Sequence, residues 1–518
     1  MEIGIIGAGI GGLTTALLLS NRGYKVTIYE KVSSLGGRLA YQVDETGRYR
    51  IDRGPTIVLL PEMLLGILEE GGIDRSRLPL MECDPLYTIH YSDGTTFKKY
   101  RNQEKQLEEL DRVFPGQKEG YLRYMQDMGK AFYSGVDAFL NKPFMQKSHF
   151  YTWHNMKLLI RMKAFKSVRA LAADYFSDER LQDAFSLQTL YIGGAPFKSP
   201  ALYTLIPYAE HAFGVWYLRG GYAWLVQLLH EELKLRGVNI KINSPVDRLY
   251  LQNGSCKGIY SRGELFKHDS IVFNGDFPYL AELLPDKVNG ERRLDHSYQT
   301  FNNRFDSHHG RRAGRRSPKR FEPSSGCLLI YLGLNRRWEK AGIHQFFLPE
   351  ALNKGLRQLF VDKKIPEEPA IYSFYPTALD HEAAPEGESV MYLLVPVPPA
   401  GDVVWEDVQS TWVDYVLEQV EERGFPGLRE AICWMDVRNP DDAEREGMYR
   451  GGSFGIAPSM SQSAVFRPQI VPYPEIEDLY SVGASVHPGG GVPIVMQGAR
   501  LLADYLTKER NACSMRSV

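Results

Sequence analysis

Cysteine is scarce in this chain. Its 518 residues include five, Cys83, Cys256, Cys327, Cys433 and Cys513, odd in number, far apart and without a C-x-x-C pair. That argues against a disulfide framework and a zinc site, and a reducing compartment suits such thiols. The adjacent His308 and His309 lack a matching set of cysteines, so no metal is expected. An excess of charge is also missing. The formal net charge is −2, which leaves no electrostatic footprint for nucleic acid as the main partner. No internal repeat is found. The first strand is expected from Glu2 and its glycine turn at Gly7, so an ordinary signal peptide is not expected.

One stretch lacks charge of either sign and another lacks negative charge. Residues 479–499 hold no charged side chain over about the length of a membrane span. Pro488, Gly489, Gly490, Gly491 and Pro493 interrupt them, which a spanning helix would not survive. The pattern predicts a buried strand at 479–483, a glycine loop, and a helix over about 492–506. Three glycines before a helix can bring bare N–H groups to a ligand, although a strand–turn–helix that only closes a sheet reads equally well. Residues 138–173 lack acids, while Lys142, Lys147, Lys157, Arg161, Lys163, Lys166 and Arg169 are basic. Phe144, Phe150, Tyr151, Trp153 and Phe165 are interleaved with them. Such a segment suits an anionic membrane surface, or simply a solvated helical face.

What is present is an α/β pattern long enough for several domains. Thirty tyrosines and 24 phenylalanines suit an apolar ligand site or a large core. Residues 2–7 read as a strand, followed by Gly7-Ala8-Gly9-Ile10-Gly11-Gly12 and a helical pattern that stops at Gly23. A second strand, 24–29, ends at Glu30. Strand, glycine turn, helix and a distal carboxylate together make a dinucleotide site. Gly7 permits the turn, Gly9 the pyrophosphate's approach and Gly12 close helix–strand packing, while Glu30 can hold a ribose diol.

Downstream, Leu35-Gly36-Gly37-Arg38 and Ile51-Asp52-Arg53-Gly54-Pro55-Thr56 stand where a nicotinamide fold would enter its next helix. This second glycine pair with an arginine resembles the extended FAD pattern of the amine oxidase and phytoene desaturase superfamily. There the Arg38 position lies by the cofactor's phosphates, where a guanidinium is a good partner.

Further along, Asp93-Gly94 marks a hairpin between short strands. Residues 174–214 are rich in aromatic and aliphatic groups and suit either an apolar pocket or core. A helix is expected over 222–236, then alternating strands to Asn274-Gly275-Asp276. Residues 291–322 are arginine-rich and polar and read as a mobile basic surface loop. Strand-like runs at 326–334, 370–378 and 389–398 suggest a second sheet, and 405–423 an amphipathic helix.

Taken together, the chain resembles the bacterial phytoene desaturase family, most of all its 4,4'-diapophytoene (dehydrosqualene) desaturases. The resemblance rests on Gly7–Gly12 with Glu30, Gly36-Gly37-Arg38, residues 52–58, residues 187–193, and residues 482–495, the family's C-terminal signature. It spans the chain except 290–322. It implies a two-domain, amine-oxidase-like α/β fold. The discontinuous Rossmann-type FAD domain would be built from 1–75, 215–290 and 470–518. A helical substrate and membrane-associating part would take 76–214, and the substrate-domain sheet and helices 323–469. FAD would be held by Gly7, Gly9, Gly11, Gly12, Glu30, Lys31, Gly37, Arg38, Gly54, Pro55, Thr56, Val246, Gly483, Gly490, Gly491, Val492, Pro493 and Val495. His487 is the candidate catalytic base, although a histidine there more often orients its loop.

The implied activity is FAD-dependent desaturation of 4,4'-diapophytoene to diaponeurosporene- or diapolycopene-type carotenoids. Alternatives are desaturation of the longer phytoene, oxygenation of a terminal methyl group, or binding or isomerisation without net oxidation. The implied partners are a long isoprenoid hydrocarbon, a membrane surface and an electron acceptor such as oxygen or a quinone. The implied location is cytoplasmic, peripheral to the cell membrane.

Overall fold

The computed structural model describes residues 1–285, 287–288, 291–292 and 321–516, with side chains over 1–285 and 321–509. The expected basic loop at 291–322, with His308 and His309, lies almost wholly outside the described residues.

The first layer is a five-stranded parallel sheet in the order Leu479–Ser481, Ser270–Phe273, Glu2–Ile6, Lys25–Tyr29, Asn239–Lys241. Its strands come from three distant parts of the chain, and the central one has Ile3, Ile5 and Ile6 buried. Parallel strands covered on both faces need such unbroken apolar runs. The helix Ile10–Asn21 is buried from Ile10 to Leu19, as a helix apolar all round must be. It packs between the helices Gly221–Leu235 and Val492–Arg516. The last of these runs to Arg516, beyond the expected 506. A three-stranded antiparallel sheet, Val246–Gln252, Ser255–Ser261 and Glu264–Lys267, lies at one side.

The second layer is a seven-stranded sheet in the order Ile432–Arg438, Gly326–Leu334, Ser389–Val397, Ile371–Phe374, His344–Phe347, Tyr87–His90, Thr96–Lys99. All its pairings are antiparallel except His344–Phe347 with Tyr87–His90. The last two strands are joined by the Asp93-Gly94 hairpin. Helix Trp405–Arg423 buries Val413, Val416, Leu417 and Val420 on this sheet.

Asp52 ties the segment after the second glycine pair to the helix Gly221–Leu235. Its buried carboxylate accepts from the N–H groups of Tyr222 and Ala223, each at 3.1 Å, at the start of helix Gly221–Leu235. Unpaired N–H groups and the helix dipole both favour a carboxylate there. Burial nevertheless pushes the acid up to about 7, and the two N–H bonds only partly oppose this.

The acid-free segment folds into the short helices Lys147–Phe150, Trp153–Arg161 and Val168–Ala172. Its aromatic rings do not act as one face. Phe144 and Phe150 are buried against Phe139 and Met162, because each ring here has apolar partners to cover it. Trp153, Ile160 and Phe165 stay 84, 69 and 70 % exposed. Cations of the segment pair with acids just outside it: Lys142 with Asp137, Lys163 and Lys166 with Asp174, and Arg169 with Asp183.

Candidate cofactor and substrate site

The carboxyl end of strand Glu2–Ile6 delivers the glycine turn. Gly7 has φ +96°, a left-handed conformation that favours glycine, and its N–H donates to Tyr29 O at 2.8 Å. Leu13 N–H already donates to Gly9 O at 3.0 Å, so the helix starts at once. A Cβ on Gly12 would lie 2.2 Å from Gly7 O. Gly12 is therefore the packing point between helix and turn, and it does not line the cavity described below. Glu30 is buried and reaches back across the turn, accepting from Ala8 N–H at 2.8 Å and Val32 N–H at 3.1 Å.

The second glycine pair docks beside the first. Gly36 N–H donates to Ala8 O at 2.9 Å, and Gly9 bridges Gly36. That docking fixes Arg38, whose Nη2 reaches Asp276 Oδ2 at 3.4 Å. Its Nε is buried with no hydrogen-bond partner among the described residues. A half-buried guanidinium whose Nε is an open donor, beside a glycine turn and a helix start, is what a pyrophosphate needs.

Asp276 is the hub that sequence reasoning missed. It also accepts from the Ser485 hydroxyl and from Tyr449 N–H at 2.9 Å. Ser485 Oγ in turn accepts from Ile456 N–H at 3.1 Å. Thus one carboxylate ties the arginine, the C-terminal loop and the far layer together. Its neighbour Asn274 donates from Nδ2 to Gly7 O at 3.1 Å. The signal was the Asn-Gly-Asp run, read only as a strand end. That its strand lies beside the first strand is a tertiary fact.

The C-terminal loop closes the site. Val482 N–H donates to Phe273 O at 3.0 Å, and the last helix starts with Val495 N–H on Gly491 O at 2.9 Å. His487 is buried, with Nε2 donating to Lys142 O at 3.0 Å and its ring 4.9 Å from Phe144. That bond assigns its proton to Nε2 and leaves Nδ1 without a partner among the described residues. Burial, helped by nearby Arg467, pushes the imidazole down to about 4, so it is neutral at ordinary pH.

All of these elements border one cavity of about 1060 Å³. Of the sequence-derived positions, Gly7, Gly9, Gly11, Glu30, Lys31, Gly37, Arg38, Gly54, Pro55, Thr56, Val246, Gly483, His487, Gly490, Gly491, Val492, Pro493 and Val495 line it. Its lining also includes an apolar wall, with Phe139, Leu140, Leu187, Leu190, Leu202, Leu205, Ile206, Phe346 and Leu394. Residues 174–214 are thus partly core and partly wall. The stretch Ala443 to Met448 also borders the cavity, which nothing in its composition announced. Among the described residues, no group of three or more His, Cys, Asp or Glu could hold a metal ion.

Residues 10–506 match the model of the flavin containing amine oxidoreductases. The chain belongs to this family. It is 44 % identical over 520 residues to a 4,4'-diapolycopen-4-al dehydrogenase of Metabacillus indicus, covering 99 % of this chain and 100 % of that one. It is 28 % identical to a 4,4'-diaponeurosporene-forming 4,4'-diapophytoene desaturase of Staphylococcus haemolyticus, covering 98 % and 99 %. Its fold is that of cyclohexylamine oxidase from Brevibacterium oxydans, at a TM-score of 0.59 and 12 % identity over 98 % and 99 % of the chains. The chain is thus an FAD-dependent oxidoreductase with the two-domain α/β amine-oxidase fold. In such a flavin containing amine oxidoreductase the open Arg38 donor and the glycine cradle suit the cofactor's phosphates, and Glu30 its ribose.

Proposed function

We propose that this flavoprotein oxidises long C30 carotenoid chains, and that its reaction is the desaturation of 4,4'-diapophytoene. The observation that carries this is one cavity whose lining joins the two glycine loops and Arg38 to an extensive hydrocarbon wall. FAD, when bound, supplies a hydride acceptor, which no side chain can be. The protein's part is to bind, orient and exclude water. The glycines would let the backbone approach the cofactor, Arg38 would pair with its phosphates, and Gly54, Pro55 and Thr56 would offer backbone edges. The segments 1–75, 215–290 and 470–518 would form the cofactor domain, with 76–214 and 323–469 building the substrate side. His487 would position the C-terminal loop, because its proton is committed to Lys142 O. Oxygen or a quinone would serve as the electron acceptor.

A water-insoluble substrate needs an entry from lipid. Along the helix Trp153–Arg161, the exposed Trp153, Lys157, Ile160 and Arg161 fall on one stripe, with exposed Phe165 just beyond. Apolar rings with flanking cations suit an anionic leaflet. No helix among the described residues is long and apolar enough to cross a membrane, so the proposed attachment is peripheral, from the cytoplasmic side.

The 44 % identity to the Metabacillus protein favours a second reading, oxidation of a carotenoid aldehyde end. Expression in cells that make diapophytoene, followed by pigment extraction, separates the two. Yellow to red polyenes free of oxygen support desaturation. Unchanged diapophytoene there, with conversion of supplied diapolycopenal to the acid by purified protein, supports the second reading. Purified protein without bound flavin overturns both.

A further inference from the structure

Thr56 lines the cavity on a segment that runs from the cofactor-side glycines into apolar residues. Just before it, Gly54 packs so closely on Arg38 that a Cβ would lie 2.7 Å from Arg38 O. Just after it, Ile57, Leu59 and Leu60 join the apolar wall. The Thr56 hydroxyl is paired with Tyr372, which is half-buried and also lines the cavity, and through it with the buried His344. Its Oγ1 lies 2.6 Å from the Tyr372 hydroxyl, which lies 2.7 Å from His344 Nδ1.

The register of the second sheet builds this chain. His344 pairs with Phe374, and Tyr372 with Phe346 on the neighbouring strand. The His344 ring lies 6.0 Å from that of Tyr372 and 5.5 Å from that of Phe374, nearly parallel to both. His344 is fully buried, and its Nε2 has no hydrogen-bond partner among the described residues. Burial pushes the imidazole down to about 3, so the ring is neutral and carries one proton.

That proton sets the direction of the chain. On Nε2 it would be an orphaned buried N–H, a rare and costly arrangement. On Nδ1 it leaves only a bare acceptor at Nε2, which is better tolerated. His344 then donates to Tyr372, Tyr372 donates to Thr56, and the Thr56 proton is left to point into the cavity. We infer that Thr56 Oγ1, oriented by Tyr372 and His344, is a fixed donor that recognises a carbonyl oxygen at the end of a polyene substrate. This rests on the reading of the chain as a carotenoid oxidoreductase and deepens its aldehyde branch. A carbonyl oxygen moved from water to an apolar wall needs a replacement hydrogen bond. A hydrocarbon end leaves the hydroxyl unpaired, which gives the site its discrimination.

The test titrates FAD-loaded wild type, Thr56→Val, Thr56→Ser and Tyr372→Phe with a long polyene aldehyde and the hydrocarbon of equal length. Both are followed by the polyene absorption band. Wild type should bind the aldehyde about tenfold more tightly than the hydrocarbon and shift its band to the red. Thr56→Val and Tyr372→Phe should bring that ratio close to one and abolish the shift, and Thr56→Ser should restore both. A preference retained in Thr56→Val overturns the inference. So does a wild type with no preference and no shift, which decides the matter even if a variant fails to fold. Preference without acid product removes the aldehyde activity and leaves the recognition standing. Acid product with the preference intact in Thr56→Val does the reverse.

Discussion

Two glycines of the first turn should fail in different ways when each becomes alanine. At Gly12 the new Cβ would sit 2.2 Å from the backbone oxygen of Gly7, more than 1 Å inside ordinary contact of roughly 3.5 Å. Neither atom belongs to a flexible side chain, so the helix Ile10–Asn21 must lift from the turn. That helix is buried from Ile10 to Leu19, and overpacking of such a contact costs about 1–3 kcal/mol. At Gly9 the Cβ would meet only Asn274 Nδ2, at 3.1 Å. Gly9 has φ −71°, which alanine accepts, and it faces the cavity. Gly9→Ala should therefore leave the apoprotein's melting temperature nearly unchanged while weakening FAD binding at least tenfold, about 1.4 kcal/mol.

The assay is thermal melting of each protein without and with excess FAD, alongside flavin absorbance after gel filtration. FAD at 100 times its dissociation constant should stabilise wild type by about 2.7 kcal/mol. Gly9→Ala should lose most of that increment from an unchanged baseline, and Gly12→Ala should start from a lower baseline. Equal flavin content in Gly9→Ala and wild type would refute the close-approach argument. An unshifted apoprotein melt in Gly12→Ala would refute the packing argument.

Asp52→Asn tests the buried acid. Its folded pKa of about 7 lies above its ordinary 3.8, so the stability conferred by its proton is fully present below about pH 4 and lost as pH rises through 7. The group contributes on the order of 4 kcal/mol to that fall, and urea unfolding at pH 5 and pH 8 should show a flatter profile in the variant. His487 should show no ionisation in the turnover profile between pH 6 and 8, since it titrates near 4; a kinetic pKa near 7 that vanishes in His487→Gln would contradict this. On the acid side its depressed pKa makes the fold lose stability as pH falls from 6.5 towards 4. Replacing Trp153, Ile160 and Phe165 together by alanine should weaken binding to anionic vesicles at least tenfold in a sedimentation assay, and unchanged sedimentation would remove the proposed attachment face.

The glycine turn and its helix were legible in the sequence because their causes are local. Gly7 needs its left-handed backbone, and the helix after it carries no charged residue and is buried for ten residues. The same holds for the Asp93-Gly94 hairpin and for the helix Trp405–Arg423, found at the residues expected. The basic-aromatic segment was legible only in part. Composition named its rings but could not tell Phe144, which meets His487, from Trp153, which meets solvent.

Asp276, Ser485 and Tyr449 are far apart in the chain and share one carboxylate. His344 and Tyr372 stand opposite Thr56 only because of strand order in the second sheet. The sequence by itself determined which residues could cradle a dinucleotide, since glycine spacing and a strand end act over a few residues. The tertiary structure alone decided that the glycine loops from the two ends of the chain border one cavity together with a hydrocarbon wall. Long-range strand pairing places those walls, and no local pattern encodes it.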